Sequence, residues 1–268
     1  SLDEIDAVGH RIVHGGEKAY DSVLVTEEIK DILRECSDLA PLHNPANLNG
    51  IIECEKIMNV PQVGVFDTGF HHTMPDYVYT YAIPKEYYDK YRIRRYGFHG
   101  TSHRYVSERA IDLLGRGKEG TRIVTCHLGN GASLAAVKDG KCFDTTMGVT
   151  PLEGIMMGTR CGSIDPAIIT YLMRKGELNT PDDIDKMMNK RSGMLGVSGI
   201  SSDNQVICKG ADEGDERCEL VVKMYTHQLT KLVGGYIAAM GGVDAIVFTG
   251  GIGENTARYR ADLCENLA

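Results

Sequence analysis

The sequence predicts an α/β protein built of two lobes, and three observations support this fold class. The chain has 268 residues, which is long for one compact domain and sufficient for two. Segments with the apolar spacing of amphipathic helices alternate with short apolar runs typical of strands. The glycine-rich, charged stretch "GRGKEGT" interrupts both patterns near residues 117–121. We therefore expect a first lobe over residues 1–118 and a second over residues 119–268.

In the first lobe we expect a strand that begins at the first residues of "SLDEIDAVGHRIVHGGE". An amphipathic helix follows between Thr26 and Ala40. Thr26 suits the helix N-cap, and two glutamates after it complement the helix dipole. "QVGVFDTG" predicts a short buried strand that ends at Asp67, and "YGFHGTSHRYVSERAIDLLG" predicts a glycine turn leading into a helix. Polar side chains thus stand at the ends of elements, where sites commonly form.

The second lobe begins with three strand patterns, "RIVTCHL", "SLAAV" and "KCFDTT". Asp139 and Gly140 between the last two are the strongest short-range signal for a hairpin, so we expect a β-meander. A long amphipathic helix follows from about Cys218, and one stripe of it carries Val221, Tyr225, Leu229, Leu232 and Tyr236. "AIVFTGG" then predicts a buried strand, followed by another helix.

Composition limits the possible partners and the compartment. A formal charge of −8 and a pI near 5.6 provide no overall attraction for nucleic acid or an anionic membrane, so we expect neither as a partner. The most apolar stretch is broken by glycines and Asp244, which argues against a membrane span. Eight cysteines show no CxxC pair, and no signal-peptide pattern opens the sequence. We expect reduced thiols, no zinc and a cytoplasmic location.

Two glycine-rich stretches are candidates for binding phosphate or nucleotide. In "HLGNG" Gly129 and Gly131 flank Asn130 between two strands, which would let backbone N–H groups approach a phosphate. By itself the motif is better explained as a simple tight turn, because glycine turns are common and asparagine suits them. "FTGGIGENTARYR" reads as a strand, a glycine loop and a helix start, an arrangement that can accept a nucleotide. A dinucleotide-binding fold is excluded because no GxGxxG follows an initial strand.

Arginine, histidine and aspartate residues among these small residues are candidates for charged chemistry. Arg11 and Arg160 could each bind a carboxylate or phosphoryl group through the guanidinium fork, or could form structural ion pairs. "FHGTSH" has two histidines but no carboxylate at ligand spacing, so we expect no metal there. His99 could donate to a charged oxygen, and Asp67 could be either a site residue or a turn aspartate.

Together these stretches identify the chain as a member of the acetokinase family, within the superfamily of sugar kinases, heat-shock proteins and actin. The resemblance covers nearly the whole sequence and rests on motifs that occur in family order: "VGHRIVHGGE", "LAPLHNP", "VFDTGFH", "YGFHGTSHRYV", "CHLGNGASLAAV", "TPLEGIMMGTRCGSIDPAI", "SGMLGVSGISSD" and "FTGGIGEN". It implies two actin-like, ribonuclease H-like lobes, each a mixed sheet with helices, and a nucleotide cleft between them. It also implies reversible phosphoryl transfer from MgATP to acetate, which yields acetyl phosphate and ADP.

The resemblance assigns roles to particular residues. Arg11 would bind the substrate carboxylate, Asp67 would be the catalytic aspartate, and His99 and Arg160 would stabilise the transition state. Acetate is already ionised near neutral pH, so we expect Asp67 to orient an arginine or a metal-bound water rather than to act as a base. The nucleotide would be held by three segments, whose residues are His127, Leu128, Gly129, Asn130 and Gly131; Asp203, Asn204 and Gln205; and Gly251, Ile252, Gly253, Glu254 and Asn255.

Cofactor and partners follow from the same resemblance. ATP would be the co-substrate with Mg²⁺ or Mn²⁺, and we expect a homodimer. The family usually has an arginine where this chain has Gln205, which puts the nucleotide contact at Gln205 in question.

Family segments that bind phosphate and metal at the two ends have no match here, so we expect a fragment of a longer protein. We expect this fragment to be poorly soluble and inactive when it is made alone.

Three alternatives remain open at this stage. A kinase for propionate or butyrate would need only a slightly larger acyl pocket, since one methylene is worth about 1 to 3 kcal/mol of discrimination. A nucleotide-binding regulatory or structural relative is possible because actin-like folds often serve such functions. However, Arg11 and Arg160 argue for an enzyme, because a nucleotide sensor needs no carboxylate clamp. A degenerate remnant is the third alternative, against which the intact internal motifs argue.

Overall fold

A computed structural model of the chain describes residues 2–40 and 43–268, so Pro41 and Leu42 of the "LAPLHNP" motif lie outside the described residues. The chain forms two compact units. Unit 1 consists of residues 1–121 and 137–150, and unit 2 consists of residues 122–136 and 151–268. The polypeptide therefore passes from one unit to the other after residues 121, 136 and 150.

Unit 1 is built on a three-stranded mixed sheet. Its strands are β1 (Val8–Ile12), β2 (Val23–Leu24) and β3 (Gln62–Phe66), in the order β1-β3-β2. β1 runs parallel to β3, with Arg11 opposite Val65 and Ile12 opposite Phe66, whereas β2 is antiparallel to β3. Because β1 and β3 are parallel and in register, Arg11 and the residue that follows β3, Asp67, lie at the same edge of the sheet.

Helices pack against this sheet, and the predicted helix after Thr26 is confirmed. The α-helices of unit 1 are α1 (Glu27–Glu35), α2 (Asn44–Ile57), α3 (Asp76–Tyr79), α4 (Lys85–Tyr91) and α5 (Gly100–Leu113). The Thr26 side chain accepts a hydrogen bond from the backbone N–H of Ile29, as an N-cap residue does. Ile12, Leu33, Ile51 and Phe66 join the sheet to α1 and α2 in one buried cluster. Short 3₁₀ turns cover Leu2–Glu4, Cys36–Asp38 and Gly69–Thr73, so the first regular strand begins only at Val8.

The predicted strands after residue 121 are present. They are β4 (Arg122–Leu128), β5 (Ala132–Lys138) and β6 (Lys141–Thr145). Asp139 and Gly140 have φ angles of 55° and 73°, so both residues of the β5–β6 turn are left-handed, as a two-residue hairpin requires. The second sheet has the strand order β6-β5-β4-β7, in which β4 pairs in parallel with β7 (Ala245–Thr249).

Unit 2 is otherwise helical. Its helices are α6 (Ala167–Arg174), α7 (Pro181–Lys190), α8 (Gly193–Ser198), α9 (Asn204–Asp212), α10 (Glu216–Met240), α11 (Gly250–Asn255) and α12 (Ala257–Leu267). The long helix α10 buries Val221, Tyr225, Leu229 and Tyr236 from the predicted stripe. Among the described residues, none of the helices combines the length and apolar character that a membrane crossing needs.

Two features of the last segment differ from the prediction. β7 is half-buried along its whole length rather than buried. The glycines after it form the short helix α11 rather than a loop, because Gly250, with a φ of 79°, makes the sharp turn within a single residue. A Cβ at Gly250 would lie 2.7 Å from the carbonyl oxygen of Leu128, so only glycine allows α11 to begin this close to β4.

Candidate active site

Arg11 and Asp67 form a two-point ion pair at the edge of the unit 1 sheet. The Nε of Arg11 donates to Oδ1 of Asp67 at 3.0 Å, and its Nη2 donates to Oδ2 at 2.5 Å. The Asp67 side chain is 4% exposed, whereas that of Arg11 is 68% exposed. The hydrogen bonds and the charge of Asp67 raise the pKa of Arg11 further above its ordinary value. A buried carboxylate thus holds one edge of a guanidinium whose remaining N–H groups face outward.

The backbone around Asp67 is fixed on both sides. Its N–H donates to the carbonyl of Ile12 at 2.8 Å, and its own carbonyl accepts from the N–H of Gly100 at 2.8 Å. A Cβ at Gly100 would lie 2.2 Å from the Asp67 carbonyl oxygen, so a side chain there would require a shift of the backbone. The end of β3 and the first turn of α5 are therefore in direct contact.

His99 immediately precedes α5 and is partly exposed. It adopts the left-handed backbone conformation, with a φ of 57°, which residues other than glycine seldom do. Its imidazole centroid lies 6.4 Å from that of His103, one helical turn further on and fully buried. Unit 1 therefore brings the predicted residues Arg11, Asp67 and His99 to neighbouring backbone positions.

Arg160 lies in unit 2, in a loop without regular structure. One Nη1 hydrogen bond to the carbonyl of Pro151, at 2.9 Å, holds its guanidinium. Among the described residues no carboxylate pairs with it, so the structural ion pair considered from sequence is not found there. Burial lowers the pKa of the Arg160 guanidinium, yet an arginine in a protein stays charged. The loop accordingly presents a positive charge that no described anion neutralises.

The predicted nucleotide-binding segments converge on one open pocket of about 770 Å³ in unit 2. Its lining comes from all three segments: Gly129, Asn130, Ser202, Asp203, Asn204, Gln205, Cys208, Gly251, Ile252, Asn255 and Thr256. This lining contains amides, hydroxyls and glycine backbone, one carboxylate and no lysine or arginine. Such a surface is suited to the neutral, hydrogen-bonding part of a ligand rather than to a dense negative charge.

One wall of this pocket is held by a buried amide. Asn204 donates through Nδ2 to the hydroxyl of Thr256 at 2.9 Å, and its Oδ1 accepts from the hydroxyl of Tyr259 at 2.9 Å. Asp203 caps α9 by accepting from the N–H of Gln205 at 2.7 Å. The Gln205 side chain is exposed and makes no hydrogen bond with any described residue. Gln205 therefore keeps a free amide at the pocket, where the family usually has an arginine.

The opposite wall is the "HLGNG" turn. The N–H of Gly129 donates to the carbonyl of Gly131 at 3.0 Å, and the carbonyl of Asn130 accepts from Gly158 at 3.3 Å. A Cβ at Gly158 would lie 2.3 Å from Oδ1 of Asn130, so the chain that leads to Arg160 passes directly against this turn. The turn is thus both a tight turn and a pocket wall, and the two interpretations made from sequence are compatible.

Several predicted nucleotide residues do not line the pocket. Leu128 is fully buried in β4 and Gly253 is buried in α11, while His127, Gly131 and Glu254 are also absent from the lining. Conversely, Ser202, Cys208 and Thr256 line it without having been singled out from sequence. Cys208 could have been found, because it lies one helical turn after Asn204 and so on the same face of α9.

The described residues contain no group of three or more histidine, cysteine, aspartate or glutamate side chains placed to hold a metal ion. Asp67, the carboxylate at the edge of the unit 1 sheet, accepts hydrogen bonds from Arg11 with both of its oxygens. A divalent ion bound to these residues would have to displace the arginine.

Comparisons with known proteins agree with each other. The chain matches the Acetokinase family over residues 1–268. Acetate kinases from Bacteroides thetaiotaomicron and Clostridioides difficile are each 57% identical to it, over 100% and 99% of this chain and 67% of each relative. The chain therefore spans about two thirds of the length of these relatives.

Solved structures give the same result. The crystal structure of Porphyromonas gingivalis acetate kinase superposes with a TM-score of 0.94 at 54% identity, covering 98% of this chain and 66% of that one. A propionate kinase from Francisella tularensis superposes with a TM-score of 0.95 at 46% identity, covering 99% and 68%. The two-lobed fold predicted for the family is thus confirmed at the level of overall architecture.

Proposed function

Because the chain belongs to the acetokinase family, we propose that it carries the reactive core of an acetate kinase, which transfers a phosphoryl group reversibly from ATP to acetate. Unit 1 provides the residues for the acyl substrate, and unit 2 provides those for the nucleotide. The observation that carries this proposal is the Arg11–Asp67 pair, because it presents a half-engaged guanidinium fork at a strand end. A small carboxylate is the ligand that such a fork binds best.

Arg11 binds the carboxylate of acetate. Asp67 takes up the Nε and one Nη2 hydrogen of Arg11, and Nη1 makes no hydrogen bond to any described residue. The exposed side of the guanidinium can therefore accept a second carboxylate without breaking the first pair. The charge of Asp67 also prevents Arg11 from pairing with acetate so tightly that the nucleophile would lose its reactivity.

Asp67 orients Arg11 rather than removing a proton. Acetate, the nucleophile, is already ionised at neutral pH, so a general base has no proton to remove. Both oxygens of Asp67 are occupied by the guanidinium, and its side chain is almost completely buried. This contact supports the orienting role over the label of catalytic base.

His99 and Arg160 stabilise the transferring phosphoryl group. Its negative charge spreads over three equatorial oxygens in the transition state, and positioned donors and cations lower that barrier. Arg160 suits the task because no described carboxylate neutralises it. His99 suits it because its rare backbone conformation places a partly exposed imidazole directly at the start of α5.

The pocket of unit 2 binds the nucleoside part of ATP. Its amides and hydroxyls can form hydrogen bonds with a base and a ribose, and Asp203 offers an acceptor for a sugar hydroxyl. Mg²⁺ neutralises phosphate charge in this class of reaction. The described residues form no cage for it, so the ion would be held mainly by the nucleotide phosphates. We place the protein in the cytoplasm, as a homodimer.

Propionate is the second candidate substrate, because a propionate kinase superposes on this chain as well as an acetate kinase does. The test is to trap the acyl phosphate as its hydroxamate while ATP is supplied with acetate, propionate or butyrate. The full-length protein is expected to give the highest kcat/KM with acetate. Higher kcat/KM with propionate would move the assignment to that substrate, and no acyl phosphate from any of the three would reject the proposed function.

A further inference from the structure

A buried histidine and a buried cysteine of unit 1 form a pair that the mechanism above does not use. His71 is in the 3₁₀ turn after Asp67, and Cys142 is in β6. The Nδ1 of His71 lies 3.0 Å from the Sγ of Cys142, and its Nε2 lies 2.8 Å from the carbonyl oxygen of Phe98. Both side chains are essentially inaccessible to solvent.

The direction of these hydrogen bonds follows from their chemistry. A backbone carbonyl can only accept, so the Nε2 of His71 must carry the proton that it donates to Phe98. Nδ1 therefore has a lone pair that faces the thiol of Cys142, and the carbonyl oxygen of Asp144 is a second acceptor for this thiol at 3.5 Å. Burial lowers the pKa of His71 to about 4 and raises that of the Cys142 thiol well above its ordinary value. Both groups stay neutral around pH 7, and the imidazole keeps one tautomer.

The carbonyl that His71 holds belongs to the residue just before His99. A φ of 57° at His99 is unfavourable relative to the right-handed conformation, so neighbouring contacts must hold it. On the far side, the N–H of Gly100 is fixed to Asp67. On the near side, the Nε2–H of His71 fixes the Phe98 carbonyl.

Gly97 allows His71 to come this close. It has a φ of 76°, and a Cβ there would lie 2.7 Å from the Cδ2 of the His71 ring. A side chain at position 97 would therefore collide with the imidazole, so glycine lets the ring lie against the backbone that leads to Phe98 and His99.

We propose that His71 is a positioning residue: through the carbonyl of Phe98 it keeps His99 in the left-handed conformation that presents its imidazole to the transferring phosphoryl group. This inference rests on the proposed function in one respect, namely that His99 acts on the phosphoryl group. His71 itself is buried and touches no substrate. Its effect on catalysis must therefore pass through His99.

Two substitutions of His71 separate the hydrogen bond from the bulk of the ring. The amide nitrogen of glutamine can occupy the position of the imidazole Nε2, whereas that of asparagine reaches only the position of Nδ1. His71→Asn is expected to lower kcat by about 10- to 100-fold with the KM values for acetate and ATP unchanged, as for a misplaced catalytic group. His71→Gln is expected to retain most of kcat. Equal losses in both variants would overturn the proposal.

A double-mutant cycle identifies the route of the effect. If His71 acts through His99, then His71→Asn lowers kcat in the wild type but causes no further loss in the His99→Ala background. If the two losses multiply, His71 acts independently and the proposal is wrong. Hydroxamate formation by the full-length wild type is measured in parallel. An inactive wild type would reject the proposed function, whereas an active wild type with multiplying losses would reject only the positioning role.

A second pair of variants covers the case in which His71→Asn does not fold. Cys142→Ala removes the group that contacts Nδ1, so the imidazole is held less firmly and a fraction of the rings no longer donates to the Phe98 carbonyl. Cys142→Ser keeps a donor at this position. Cys142→Ala is expected to lower kcat more than Cys142→Ser, and only when His99 is present. Ile51→Ala, in the buried cluster between the sheet and the helices α1 and α2, is the control for a general loss of stability. It is expected to lower the free energy of unfolding but not kcat.

Discussion

The backbone N–H of Gly100 donates a hydrogen bond to the backbone carbonyl of Asp67 at 2.8 Å, so the residue that follows β3 and the first residue of α5 are joined directly. Asp67 holds Arg11 with its side chain, and His99 precedes Gly100 by one residue. This backbone contact therefore joins the segment that carries His99 to the Arg11–Asp67 pair.

Gly100→Ala is expected to lower both stability and activity. In an exposed helix, alanine is favoured over glycine by about 0.5 to 1 kcal/mol, but here its Cβ would lie 2.2 Å from the Asp67 carbonyl oxygen. The matched control is Gly50→Ala in α2, where no atom lies within 4 Å of the added Cβ. Urea unfolding should show a gain for Gly50→Ala and a loss for Gly100→Ala. Equal gains would mean that the contact does not constrain the site.

Arg11→Ala is expected to raise the KM for acetate at least about tenfold while leaving the KM for ATP unchanged, because it removes a clamp on the bound carboxylate. Arg11→Lys should recover little of this, since an ammonium lacks the planar fork. Lys18→Ala, which removes an exposed ion pair with Glu35, is the control and should change neither the KM for acetate nor the KM for ATP. Initial rates over a matrix of both substrates measure the effect. A change confined to the KM for ATP would reject the assignment of Arg11.

Asp67→Asn distinguishes an orienting aspartate from a base. An orienting residue lost by this substitution lowers kcat/KM by a similar factor at every pH, because no proton transfer depends on it. A base would instead give the wild type an acidic limb that vanishes in the variant. The profile of kcat/KM between pH 5 and pH 9 decides between them, and the appearance of such a limb only in the wild type would refute the orienting role.

Arg160→Ala is expected to lower kcat by roughly 100-fold or more, as expected for a donor to transition-state charge. The comparison variant is Arg258→Ala, which removes an exposed arginine of unit 2 paired with Asp212 and should change kcat little. Single-turnover rates with saturating ATP and acetate report the chemical step directly. Arg160 has no part in the mechanism if its variant turns over at the wild-type rate.

Buried histidines predict a loss of stability in acid. Burial lowers the pKa of His14 and of His71 to about 4, whereas the unfolded chain protonates near pH 6.5. Their contribution is therefore complete above about pH 6.5, and falls as the pH decreases from there toward 4, because the unfolded state binds the protons first. Each histidine accounts for roughly 3 kcal/mol over this window.

His14→Gln tests this pH dependence. The variant is expected to show a shallower decrease of the unfolding free energy between pH 7 and pH 4.5 than the wild type, measured by urea titration at each pH. His72→Gln, which changes an exposed histidine of the same unit, should reproduce the wild-type slope. Parallel slopes for wild type and His14→Gln would show that His14 is not kept neutral by the fold.

Local patterns in the sequence predicted local structure well. The short apolar run located β3 to within one residue, since the strand ends at Phe66 rather than at Asp67. The hairpin at Asp139–Gly140 is confirmed because both residues adopt a positive φ. What these patterns do not contain is which strands pair. The contact between Arg11 and Asp67 joins residues 56 positions apart, and it depends on the parallel pairing of β1 with β3. Only the family resemblance placed both residues in one site.

Other site features could not be predicted because they depend on packing in three dimensions. His71 stands between Phe70 and His72, two residues that indicate no role for it, and its hydrogen bond goes to a carbonyl 27 positions away. The glycines after β7 were predicted to form a loop, because the sequence does not show that Gly250 alone makes the turn. The residues after it are therefore free to form the helix α11. Thr256 could be assigned to the nucleotide pocket only from the folded structure, in which it lines the pocket and accepts a hydrogen bond from Asn204.

The three passages of the chain between the units have a consequence for synthesis. Unit 1 needs residues 137–150, and the second unit needs both residues 122–136 and the late strand β7. During translation, neither unit can be completed when the ribosome reaches the end of the first segment at residue 121. The edge of β4 that pairs with β7 must stay unpaired until more than a hundred further residues have emerged. Until then the growing polypeptide exposes an unpaired strand edge, and we expect it to need protection by chaperones.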